Sequence, residues 1–80
     1  MSNLEAFKKI IRSVWSLKNV EEIEDSFGPD EIKAWDSLSH IELVVALEEE
    51  FEISIAVQDV SRLYTIGDIK RTLVKYGVEI

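Results

Sequence analysis

A chain of 80 residues has room for one small domain, residues 1–80, with a modest core, because a domain of this size buries only about two thirds of its unfolded surface. Hydrophobic residues make up 46% and mean hydropathy is +0.01, which excludes a disordered acidic tail, and the absence of cysteine excludes a disulfide framework and a thiolate metal site. Net charge is −7, and 13 of the 16 acids fall between Asn19 and Ser61 beside one base, Lys33; such a field disfavours nucleic acid and anionic membrane and favours a basic protein surface.

In chain order, Leu4, Phe7, Ile11 and Val14 recur at helical spacing over residues 3–17, headed by Ser2 and Glu5 as a capping-box pair. The apolar runs are too short to cross a membrane, and the N-terminal stretch lacks a signal-peptide core, so the expectation is a soluble cytoplasmic protein. From Lys18 to Trp35 the pattern breaks into a long acidic connection punctuated by Asn19, Gly28 and Pro29, with Val20, Ile23, Phe27 and Ile32 as anchors. Connections this long are uncommon in compact domains and are often functional. The segment Ser37–Phe51 is the strongest helix. "ISIAV" (Ile53–Val57) has no second strand to pair with and reads as an extended linker into a short helix over Val57–Leu63. Thr65, with Asp68 three residues on, caps a last helix whose stripe is Ile66, Ile69, Leu73 and Tyr76 and whose stop is Gly77. Helices with one apolar stripe each can bury them only against one another, which predicts an all-α fold: a small four-helix bundle of three longer helices and a short third one.

The second helix has two faces. Leu43, Val44, Leu47 and Phe51 share one side, and burying four such side chains is worth about 6–12 kcal/mol before conformational entropy is subtracted. That side points to the core. The other side collects Leu38, Glu42, Val45 and Glu49, with Ile41 and Glu48 along a margin, on a helix with no Lys or Arg between Asp36 and Glu52. A solvated acidic face would account for the charge alone. An apolar seam among carboxylates is what docking a basic, partly hydrophobic partner requires.

Ser37 stands where the acidic loop becomes this helix, and three readings compete for it. As an N-cap it would contribute about 1 kcal/mol, yet Asp36 and Ser39 can also cap, and Ser39 with Glu42 forms a capping-box pair. As a nucleophile it has Asp36 and His40 within a helical turn, but no oxyanion hole or strained turn is legible around it; His40 reads as an ordinary first-turn residue near the core edge. As an attachment point it would place a phosphodiester at the positive end of the helix dipole, open to a modifying enzyme.

"DSLSHIELVVALEEEFEI", Asp36–Ile53, resembles the acyl carrier protein family, whose motif is Asp-Ser-Leu leading into an acidic helix closed by Phe. "WDSL", with Ala34 in place of the usual Gly, is most similar to specialised stand-alone carriers. The resemblance implies that Ser37 accepts a 4′-phosphopantetheine arm from a phosphopantetheinyl transferase, and that the arm holds acyl cargo as a thioester for fatty acid, polyketide or related biosynthesis. Such a protein is no enzyme: it has no catalytic residue and no metal, and it is the substrate of acyl-transfer, synthase or ligase enzymes with basic surfaces, which it meets as a monomer. Carried over by position, Asp36, Leu38, Glu42, Val45, Glu48 and Glu49 form the partner-docking surface, and Ile41, Val45, Leu47, Ile55, Leu63 and Ile69 line a cleft for the acyl chain. An aminoacyl or peptidyl carrier is the alternative within the class. A non-covalent acidic helical module is the alternative outside it.

Overall fold

The structure is a computed structural model and describes residues 2–80. Its elements are α1 (Asn3–Trp15), a 3-10 turn (Val20–Glu22), α2 (Ser37–Phe51), α3 (Val57–Val60) and α4 (Ile66–Lys75). Among the described residues there is no strand, and no helix is long and apolar enough to cross a membrane.

The Ser2 hydroxyl starts α1 by accepting from the Glu5 amide at 3.1 Å. This helix buries Phe7, Ile11 and Trp15, while Leu4 and Val14 of the expected stripe are only partly covered. The i, i+4 series simply continues from Ile11 to Trp15. α1 packs along α2, whose Leu43, Val44 and Leu47 are buried as the two-faced pattern requires, with Phe51 half-buried at the end.

The long connection is tied down rather than loose. Val20 and Ile32 are buried in the core, and Ile23 and Phe27 pack against it. The carbonyls of Phe27 and Asp25 accept from Ile66 N and Gly67 N at 2.9 and 2.8 Å, so the loop satisfies two of the amides that the start of α4 would otherwise leave unpaired. Gly28 is needed at this crossing: a Cβ there would lie 2.5 Å from the Tyr64 carbonyl oxygen.

Residues 53–56 form the extended linker read from the sequence. Its Ile55 amide is held by Glu48 Oε2 at 2.8 Å. The short helix is one turn, Val57–Val60, not the longer Val57–Leu63 expected, because the chain must turn at residues 61–62 to bury Leu63. It is fastened to the last helix through Asp59, which accepts from Tyr76 Oη at 2.6 Å and from Lys75 Nζ at 3.0 Å, while Tyr76 Oη accepts from Ala56 N at 2.9 Å. Thr65 and Asp68 cap α4 reciprocally. At its other end Gly77 (φ +90°) turns the chain so that Val78 N reaches Leu73 O at 2.9 Å and Gly77 N reaches Val74 O at 3.0 Å, a Schellman closure.

Candidate functional site

The sequence suggests Ser39 with Glu42 as the capping pair for α2; the structure corrects this. Asp36 is the N-cap: its Oδ1 accepts from Ser39 N at 2.9 Å, and Ser39 Oγ accepts from Asp36 N at 2.9 Å. Ser37 is therefore the first helical residue and takes no part in the box. Its side chain is exposed. The Ser39 amide, aided by the Ser39 hydroxyl, outweighs desolvation and holds the Asp36 carboxyl below the usual carboxylate range.

Beneath this turn lies a buried polar relay. Ser39, 7% exposed, donates to Ala34 O at 2.7 Å and accepts from Trp15 Nε1 at 3.2 Å. Trp15 stacks on Trp35, with centroids 4.7 Å apart. Trp35 Nε1 donates to His40 Nδ1 at 2.9 Å, so the proton of His40 sits on Nε2, which reaches Val60 O at 2.9 Å. Both ring nitrogens are thus spent, one on the loop and one on α3. That leaves no lone pair with which His40 could activate Ser37, and the nucleophile reading loses its base. The two tryptophans were the residues that pattern reasoning left without a role at the site; the signal was Trp35 standing directly before Asp-Ser-Leu and Trp15 continuing the spacing of Phe7 and Ile11.

The face outward from Ser37 is apolar and acidic. Leu38 is 71% exposed, Ile41 55% and Val45 46%, and Glu42 and Glu49 are exposed beside them. Glu48, at the margin of this face, is half-buried, and one of its carboxylate oxygens accepts from Ile55 N, which braces the linker. Of the six residues expected to line a cleft for the acyl chain, Leu47, Ile55, Leu63 and Ile69 are buried in the core of the bare protein, and Ile41 and Val45 are exposed on α2. What opens beside Ser37 is a shallow groove of about 540 Å³ lined by Pro29, Trp35, Asp36, Ser37, His40 and Ile41.

A family model described as the phosphopantetheine attachment site matches residues 35–73, a span that opens at Trp35 and holds Ser37. An acyl carrier protein of Buchnera aphidicola subsp. Schizaphis graminum is 37% identical over 67 residues, 82% of this chain and 84% of that protein. The chain belongs to the acyl carrier protein family. Among solved structures, the holo acyl carrier protein of Geobacter metallireducens superposes with a TM-score of 0.81 at 32% identity, over 95% of this chain and 86% of the other. A Mycobacterium tuberculosis protein described as an acyl carrier protein does so with a TM-score of 0.79 at 25% identity, over 90% and 95%. This acyl carrier protein is accordingly a carrier, not a catalyst, and its cofactor is a covalently attached 4′-phosphopantetheine. It serves phosphopantetheinyl transferases and acyl-handling enzymes in general.

Proposed function

We propose that Ser37 is the residue that carries the arm, and that the carrier presents fatty or polyketide-type acyl groups to basic-surfaced enzymes in the cytoplasm, working as a single-domain monomer. The observation that carries the reading is the division of labour between two serines one residue apart. Ser39 is buried and its hydroxyl is saturated, accepting from Trp15 Nε1 and Asp36 N and donating to Ala34 O, whereas Ser37 is exposed and outside the capping box. A group added to Ser37 disturbs no hydrogen bond of the box, and its phosphate lies at the positive end of α2. The transferase needs a reachable hydroxyl, and this turn offers one on a rigid support.

Acyl cargo is favoured over aminoacyl cargo by the partner face. Asp36, Leu38, Glu42, Val45 and Glu49 line the side of α2 running down from Ser37, with Glu48 at its margin and without a single cation on the helix. An enzyme that docks there with Lys and Arg around an apolar centre has the arm directly beside it. Incubation with coenzyme A and a broad-specificity phosphopantetheinyl transferase, followed by intact mass, is expected to show one phosphopantetheine added to the wild type and none to Ser37→Ala. A folded wild-type protein whose mass does not change would contradict the reading and leave a non-covalent module in its place.

A further inference from the structure

We propose that His40 is the residue that positions the attachment turn, and that it does so only as the neutral ring, so that mild acid releases the turn ahead of Ser37 while the bundle stays folded. This rests on the assignment of the arm to Ser37. His40 stands near the start of α2 and joins three parts of the chain. Its Nδ1 accepts from Trp35 Nε1 and its Nε2 donates to Val60 O, each at 2.9 Å. The two rings lie within 16° of parallel with centroids 6.1 Å apart, so they meet edge to edge and the indole N–H points along the in-plane lone pair of Nδ1. Trp35 immediately precedes Asp36, the N-cap, and Ser37 comes next. The ring therefore fixes the last loop residue against the helix that carries the hydroxyl. At its other edge it serves the Val60 carbonyl, which the Leu63 amide reaches only at 3.4 Å, and so fastens the end of α3, a helix of four residues that is too short to stand alone.

One protonation state makes both bonds. A second proton would sit on Nδ1, facing the indole N–H donor to donor, and no rotation of the ring restores an acceptor because an imidazolium has none. The bond to Val60 O survives that change, since Nε2 keeps its proton. The bond to Trp35 does not. Asp36, one turn earlier on α2, lines the same groove as the ring with its Oδ1 on the Ser39 amide. From the loop, Glu31 is turned onto Gly28 N, and Asp30 and Lys33 are exposed. From α3 and the turn after it, Asp59 is held by Tyr76 and Lys75, and Arg62 is exposed. Among the described residues no carboxylate bonds to either ring nitrogen, so protonation breaks the indole bond without making an ion pair in exchange. Trp15 Nε1, by contrast, donates to Ser39 Oγ, a hydroxyl whose charge does not change with pH in this range. The indoles of Trp35 and Trp15 thus form a reporter and its control.

The test begins with the ¹⁵N-labelled bare protein, titrated from pH 7.5 to pH 5, which spans the ordinary imidazole range and stays above that of carboxylates. The Trp35 indole resonance is expected to leave its hydrogen-bonded position in step with the charging of the His40 ring, while that of Trp15 moves less. Loading by a phosphopantetheinyl transferase, read by intact mass, is then compared at the two ends of the range, as kcat/KM relative to two variants, which cancels the transferase's own pH dependence. His40→Gln has one acceptor and one donor and no proton to gain; Trp35→Phe has no indole N–H to give. The wild type is expected to load like His40→Gln at pH 7.5 and like Trp35→Phe at pH 5, the two limits differing by about two- to tenfold, the factor of one ordinary hydrogen bond. A ring that stays neutral to pH 5, an indole that does not respond when the ring is charged, or a ratio to either variant that is independent of pH would overturn the proposal. A wild-type mass that never increases sinks the Ser37 assignment and the positioning role together, whereas a loaded protein with a pH-independent ratio sinks this role alone.

Discussion

Two serines separated by Leu38 show how far local pattern reaches. Both Ser37 and Ser39 sit where a cap belongs, and the sequence assigned the box to Ser39 and Glu42. The observed box pairs Asp36 with Ser39, because Ser39 is held inward by Ala34 O and by the indole of Trp15, which comes from another helix. No local rule supplies that partner. The consequence is a contrast that chemical denaturation can read. Ser39→Ala leaves a buried indole N–H and a backbone amide unpaired and is expected to cost about 1–3 kcal/mol, whereas Ser37→Ala removes an exposed hydroxyl and is expected to stay within about 0.5 kcal/mol of wild type. Equal losses at the two positions would mean that Ser37 is a structural residue after all.

The helices differ in how plainly their ends were written. α2 runs over the residues its pattern marked, Ser37–Phe51, because no Gly or Pro interrupts the stretch after the cap and its apolar side is buried along its length. α3 did not, since its length is set by the need to bury Leu63 after a turn. Three helices end in a left-handed residue, and only the last uses glycine: Ser16 has φ 53°, Glu52 φ 54° and Gly77 φ 90°. A side chain in that conformation costs roughly 1 kcal/mol that glycine does not. Glu52→Gly is therefore expected to raise the melting temperature by a few degrees, part of the gain being returned through the freer unfolded chain; a lower melting temperature would show that the Glu52 side chain contributes more than its backbone strain costs. On the proposed docking face of α2, Glu42→Lys or Glu49→Lys is expected to weaken partner binding and flatten its salt dependence with the circular dichroism unchanged. Affinity that holds at low salt would remove these residues from the interface.

For the molecule as a whole, the all-α class and the two-faced second helix were legible because periodicity reports burial directly. The cleft expected for the acyl chain rests on resemblance alone: Leu47, Ile55, Leu63 and Ile69 are buried in the bare protein, and periodicity reports burial without saying which core residues face a guest. Here the His40 link and the Trp15–Trp35 stack draw the loop, α1, α2 and α3 together over that region. The acidic excess has its own signature. Asp59 is held low by the Tyr76 hydroxyl and Lys75, Asp36 by the Ser39 amide, and for Asp68 burial pushes upward but Arg71, the Tyr64 amide and Thr65 bring the carboxyl down overall. All three are lower folded than unfolded, so the unfolded chain takes up protons first as pH falls. Their stabilisation is complete above the unfolded range near ~3.9 and is lost as pH drops through the lower folded values. Melting followed from pH 7 to pH 2.5 is expected to show a steep loss below about pH 4, and a midpoint that held steady there would contradict these assignments. The central claim concerns a single oxygen, and fragment mass spectrometry of the loaded protein addresses it most directly. Tryptic cleavage after Lys33 and Arg62 isolates Ala34–Arg62, which contains both Ser37 and Ser39. The account expects the phosphopantetheine on Ser37 in every modified peptide; finding it on Ser39, or on any residue outside this peptide, would contradict it.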